Sequence, residues 1–471
     1  MLGILAIKSK RYSLAIRYLE MTVNLYSFIL NLGKDWDDLN LQEIQFDKAL
    51  VRGTLIIAHD YLAANFEDMG LVREAANHVE KSCELSTETA NLALSSVQGT
   101  CYYNLSVWAL KCLQFDRALD LGDKSVELFI GLPPDIIENR VQLGKAQRLV
   151  ALMYLIKGNE EKSEKWMYDY EGTMHDFGAH IWFDILYIEV ELQLWKGVYT
   201  ECEDRLDSVL SLDLNVSHRI KTLLWKLILH HHQKNEQQFN QCSDTLQGLI
   251  KESGIEIEEK AKHVYELSRL LYINKHYTVA RDLVEDVLNE LWGFALDSVY
   301  DLRGRLSLLQ GEILVSLNAE GADAMESFDR ARFFLNECFP KTHYVIAQLN
   351  QNTARAHLAF GNTLMARQLL KEAREVIHSF SPHSLTFMKL NFDFVEFYVR
   401  TNKLRSAVEL LEEMVETMET GRVTPHEPFC HDSKWQCAEL ASEPHDTLLE
   451  NAKAHLQELK IAHPYLKSNL F

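Results

Sequence analysis

The chain has 471 residues, 47% of them hydrophobic and 25% charged, the composition of a folded soluble protein rather than a disordered one. Its 68 acidic against 48 basic side chains leave a net charge of −20, which repels a phosphate backbone and, without a long Lys/Arg stripe, excludes nucleic acid as a ligand. No apolar run approaches the ~20 residues of a membrane span. The 8 Cys stand mostly at apolar helical positions with no Cys-x-x-Cys pair, so a reducing compartment and a cytoplasmic location are expected.

A helical repeat begins almost at once. Tyr12, Ala15 and Leu19 set an aromatic or apolar residue, a small residue three on, and a large apolar residue four further. Residues 1–30 therefore read as a first repeat. Leu2 and Gly3 already fill first-helix slots with no polar cap before them, which fits a shortened form, a start packed on a partner, or a frayed end. The opening Met1-Leu-Gly-Ile-Leu-Ala-Ile lacks the basic start and cleavage site of a signal peptide. Residues 31–52 read as an insertion, because Asn31 to Asn40 is rich in turn formers and acids.

From residue 53 to 420 the signature returns, as in Val72-Ala75-Val79, Tyr277-Ala280-Val284 and Leu404-Ala407-Leu411. The small residue belongs where two antiparallel helices touch, since bulkier side chains would hold the backbones apart. Ala15, Ala75, Ala118, Ser163, Cys202, Cys242, Ala280, Ala324, Ala366 and Ala407 fill that slot, at intervals of 38 to 45 residues apart from one of 60. A fixed period of this length predicts a stacked array. Gly70, Gly158 and Gly361 stand where the turn before a second helix is needed. Pro133, Pro134, Pro340 and Pro382 fall between repeats, and Asp135 to Cys338, free of Pro, should be continuous hairpins. Beyond Thr420 the pattern stops. Residues 421–445 read as an irregular tail, and 446–471 as a capping helix and chain end, with Leu448, Leu449, Ala452, Leu456 and Leu459 at helical spacing.

Small-x-x-aromatic, then Gly, then Ala-x3-apolar-x2-small is the pattern of the tetratricopeptide repeat, which the chain resembles over residues 1 to 420. The longer, roughly 40-residue period resembles that of kinesin light chains and spindle-orientation adaptors. His343 to Ala354 is similar to the light-chain repeat opening. The resemblance implies an all-α fold, a right-handed superhelical solenoid of about ten antiparallel helical hairpins. It also implies a concave groove, lined by first helices, that binds a peptide or helix of a partner. In the resembling families an Asn two residues before the small first-helix residue hydrogen-bonds a bound peptide backbone. Here Asn104 and Asn352 occupy that slot, while Tyr61, Leu149 and Glu266 take it elsewhere.

The chemistry expected is binding. No phosphate loop, His-Glu-x-x-His or Gly-x-Ser-x-Gly elbow is present, and neither enzyme activity nor a cofactor is expected. Ser379-Phe-Ser-Pro-His383 is similar to the helical region of SET-and-MYND methyltransferases, but their cysteine-rich finger and cofactor-binding sequences are absent. His426, Cys430, His431, Cys437 and His445 offer zinc ligands without a recognised spacing, and no metal site is assigned. His230, His231 and His232 should end a first helix, where histidine suits the dipole. The Trp residues, among them Trp108, Trp182, Trp195, Trp225 and Trp292, should pack the core. The expected function is a protein-protein adaptor taking a basic or apolar segment, with no membrane insertion. The alternative is an architectural subunit of a cytoskeletal, ciliary or cell-cycle complex.

Overall fold

The computed structural model describes residues 12–36, 48–68, 72–87, 92–111, 115–133, 135–156, 159–174, 190, 193–194, 198–212, 214–252, 254–292, 300–317, 321–339, 341, 344–380, 385–420 and 445–462. Nineteen helices and no strand lie among them, and none of those helices is long and apolar enough to cross a membrane. The chain forms two compact units, Met1–Gly178 and Ala179–Phe471.

The first unit holds α1 (Tyr12–Trp36), α2 (Lys48–Asp68), α3 (Val72–Thr87), α4 (Leu92–Lys111), α5 (Phe115–Ile130), α6 (Ile137–Ile156) and α7 (Glu160–Met174). Each packs on the next, and α4 also touches α6. Short connections between neighbours make the pairs antiparallel hairpins. The predicted insertion at residues 31–52 is corrected at both ends, since α2 already begins at Lys48. Phe28, Ile29 and Leu32 keep the helical apolar spacing, and α1 runs on to Trp36. Residues 37–47 lie outside the described residues. The α4–α5 hairpin closes tightly: Ser106 Oγ donates to the Ala118 carbonyl at 2.6 Å and Ser125 Oγ to that of Gly99 at 2.8 Å. Hydroxyls reach a facing main chain only where backbones nearly touch.

The second unit holds α8 (Tyr199–Leu210), α9 (Val216–His232), α10 (Glu236–Glu252), α11 (Ile257–Ile273), α12 (Tyr277–Leu291), α13 (Tyr300–Ser316), α14 (Gly321–Cys338), α15 (Tyr344–Ala359), α16 (Thr363–Phe380), α17 (Leu385–Arg400), α18 (Leu404–Glu419) and α19 (His445–Ala462). Hairpins pair α9 with α10, α11 with α12, α13 with α14, α15 with α16 and α17 with α18. The first helices α9, α11, α13, α15 and α17 also touch in succession, forming one layer. One continuous core runs from Val190 to Ile313 and another from Ala347 to Ala452. In the latter, Leu448 and Ala452 of α19 are buried against α18 and α17.

Nine of the ten small residues stand fourth in their helix, from Ala15 in α1 to Ala407 in α18. Cys242 does not. Phe239 is fourth in α10, and its amide bonds the Asn235 carbonyl at 3.0 Å, as the Ala280 amide bonds His276 and that of Ala407 bonds Lys403. The repeat therefore places an aromatic ring, 2% exposed, where the others place Ala, Ser or Cys. Cys242 sits one turn further along, its thiol 3.5 Å from the Leu223 carbonyl.

Turns between first and second helices follow one plan. Lys234, Lys275, Gly361 and Asn402 each take positive φ two residues past a first helix. In the first of these turns the Asn235 amide reaches back to the His230 carbonyl at 2.9 Å and the Lys234 amide to that of His231 at 3.0 Å, so the orphan carbonyls of the helix end are satisfied. Asn235 and Asn362 then accept from the amides of Gln238 and Met365, capping the second helix.

Candidate functional site

Along the first-helix layer of the second unit runs a row of bonded charges. Arg269 of α11 donates to Glu312 Oε2 of α13 at 2.5 Å. The Asn352 amide nitrogen, from α15, donates to Glu312 Oε1 at 2.5 Å. Arg355, one turn on, donates through a terminal nitrogen to Asn352 Oδ1 at 3.1 Å and through Nε to Asp393 Oδ1 of α17 at 2.7 Å. Gln351 completes the set by donating to Asp393 Oδ2 at 2.5 Å. Ser316 and Tyr272 meet beside it at 3.3 Å.

Burial and charge balance along this row. Glu312 and Asp393 are buried, whereas the Arg355 side chain is 44% exposed. Burial works against the charge of Arg269, but the Glu312 carboxylate outweighs it and holds the guanidinium above its ordinary value. Arg355 is likewise raised, desolvation being overcome by Asp393. Tyr272 is pushed up by burial and then by Glu312. Buried charges of this kind persist only when paired and hydrogen-bonded, and here each carboxylate accepts from two donors.

The structure puts the two sequence-selected amides in different settings. Asn352 is buried, and both its nitrogen and its oxygen are engaged by Glu312 and Arg355. Asn104 is half-buried on α4, in the first unit. Glu266, at the same slot on α11, is buried, and desolvation raises its carboxyl to about 8 against a smaller opposing effect of Lys221. Asp393 stands 41 residues after Asn352, one repeat on. Arg269, Glu312, Arg355 and Asp393 were not selected from the sequence. Their signal is recurrence, for Arg269, Glu312 and Arg355 follow one another at intervals of 43 residues on successive first helices.

The other sequence candidates resolve as structure. His230, His231 and His232 end α9 and diverge: His230 faces Gln233, His231 meets Asn274 Oδ1 at 2.9 Å, and His232 stacks on Tyr199. Trp225 is buried, but Trp292 is 56% exposed, a correction to its expected core position. Its ring faces the Arg303 guanidinium, which also lies over Tyr300 and Phe334; cation–π attraction and the last carbonyl of α12, bonded by Arg303, hold it there. The zinc-type residues His426, Cys430, His431 and Cys437 lie outside the described residues, as do the side chains of His445, Trp108, Trp182 and Trp195. Among the described residues no group of three or more His, Cys, Asp or Glu is placed to hold a metal.

No family model matches the chain, and no curated protein matches it. Among solved structures it is similar to yeast Tom70, at 13% identity and TM-score 0.43 over 98% of this chain and 96% of that one. It is also similar to a Rap protein complexed with competence and sporulation factor, at 10% identity and TM-score 0.43 over 94% and 99%. BtubC from P. vanneervenii aligns at 11% identity and TM-score 0.38 over 50% of this chain and 93% of that one. The chain's own hairpins carry the classification: a small residue fourth in the second helix, αL turns and a layer of first helices are an all-α helical-repeat architecture of tetratricopeptide type.

Proposed function

We propose that the chain is a non-catalytic adaptor that holds an extended segment of another protein against the first helices of its second unit, along Arg269, Glu312, Asn352, Arg355 and Asp393. The observation that carries this reading is Arg355, half exposed yet fixed by both Asp393 and Asn352. A guanidinium carries five N–H donors in a rigid fork. Those not directed at Asn352 and Asp393 suit the regularly spaced carbonyls of an extended chain, and a donor already oriented loses little entropy on binding. With a net charge of −20 on the chain, a basic or apolar segment is the proposed ligand. Asn104 is proposed to serve a corresponding segment in the first unit. The buried free thiols Cys83, Cys101, Cys202 and Cys242 are consistent with the cytoplasm as the place of action.

Selection from a displayed library of extended peptides tests the reading. Enriched peptides should bind about tenfold more weakly to the Arg355→Lys protein, which keeps the charge but loses the fork, and to the Asn104→Ala, Asn352→Ala protein. Binding to Arg367→Ala, altered at an exposed residue of α16, should match the unaltered chain. Absence of enrichment, or peptides indifferent to Arg355 and the Asn pair, removes the adaptor reading.

A further inference from the structure

Among the described residues three acidic side chains are buried, Glu266 on α11, Glu312 on α13 and Asp393 on α17, all on first helices of the second unit. Glu312 and Asp393 each accept from two donors of the chain itself. Glu266 is 8% exposed, and among the described residues no donor bonds its carboxyl. Its oxygens are nevertheless not sealed from the surface. A buried carboxyl without a donor is costly, and native structures rarely keep one without a use for it. Glu266 precedes Arg269 by three residues, one turn back on the same side of α11, and Arg269 reaches across the layer to Glu312.

The charges around Glu266 do not satisfy it. Of the helices packed on α11, namely α9, α10, α12 and α13, only α9 brings a charge to bear on it, through the exposed Lys221, and that effect is smaller than the desolvation. On α11 itself burial favours the neutral form of His263, one turn before, and Arg269 is bound to Glu312.

We propose that Glu266 seats a Lys or Arg side chain of the segment held along this layer, fixing one basic residue of the ligand. The inference rests on the adaptor reading above and adds to it the ligand's charge at one position. The chain itself supplies the pattern for the contact, since Arg269 is seated against the buried Glu312 of the next first helix. A cation brought to Glu266 provides the missing donor, and the net charge of −20 favours its approach. An apolar side chain would leave the carboxyl without a donor, and an acidic one would meet the same field unfavourably. Burial keeps the free carboxyl protonated up to about 8, so a cation seated against it drives off that proton at neutral pH.

Selection from a displayed library of extended peptides, run in parallel on the unaltered chain and on Glu266→Gln at pH 7, tests this. Peptides enriched on the unaltered chain should share Lys or Arg at one position. That preference should vanish from the Glu266→Gln pool while the other preferences stay. A synthetic peptide from the first pool should bind about tenfold more weakly to Glu266→Gln. The same peptide with norleucine for its basic residue should bind about tenfold more weakly to the unaltered chain, with no further loss when both changes are combined. Calorimetry in two buffers of different ionisation heat should find about one proton released on binding to the unaltered chain and none with Glu266→Gln. Gln matches Glu in size, so the circular dichroism spectrum should not change. Enrichment without a shared basic position, a basic preference that persists on Glu266→Gln, or binding without proton release overturns the inference and leaves the adaptor reading standing. Absence of enrichment on the unaltered chain overturns both.

Discussion

Glu266 takes the slot filled by Asn352 and Asp393 on later first helices, and it has no opposite charge closer than the field of Lys221. Burial raises its carboxyl from 4.5 to about 8, so the folded chain keeps a proton that the unfolded chain releases above its ordinary value. Between about 4.5 and 8, stability therefore falls as pH rises, by at most about 1.4 kcal/mol per unit. Calorimetry of Glu266→Gln should show this: little change near pH 5, a higher unfolding temperature than the parent chain at pH 8, and a flatter slope between. Elsewhere burial acts in the opposite sense. His59 and His78 face each other through Nδ1 at 2.8 Å, and burial, then His78, lowers His59 to about 4. Below its ordinary value the unfolded chain takes up a proton that the folded one refuses, and this pair loses stability as pH falls. Asn352 shows the limit of reading a residue type alone. Its place in the repeat was visible in the sequence, but the carboxylate and guanidinium that engage it come from 40 residues away and three along the helix. Its removal should therefore cost stability, because Glu312 loses a buried donor.

At the level of helices and turns, local chemistry was largely legible, because each hairpin repeats one demand. Gly361 was read as a turn residue, and its φ of +81° agrees. The same turn is built with Lys275 at φ +65°, where a side chain pays a steric penalty that glycine avoids. Gly361→Ala should therefore destabilise the chain by about 1 kcal/mol, and Lys275→Gly should stabilise it by somewhat less, since glycine also loosens the unfolded state. Urea denaturation separates the two signs. The register at α10 was misread for a physical reason. Cys242 is small and correctly spaced, but Phe239 fills the closing slot, and no rule based on small residues selects an aromatic ring. Glycines in α13 make room for large side chains of α14: a Cβ on Gly311 would lie 2.6 Å from the Phe328 ring, and one on Gly304 2.6 Å from Leu335.

Within each unit successive helices pack on their neighbours, and in the second unit the first helices α9, α11, α13, α15 and α17 share one layer. Periodicity reveals such an array without knowledge of any partner, which is why helix type and order were accessible from the sequence. Division into two units at Gly178 was not, since no linker composition marks it. Nor was the charged row, whose members become neighbours only when helices some 40 residues apart stack. What that row contacts is the central question, and crosslinking addresses it most directly. A library-selected peptide carrying a photoreactive group, crosslinked to the full chain and mapped by mass spectrometry, should label α11, α13, α15 and α17. Labelling confined to the second helices α14, α16 and α18 would contradict the account.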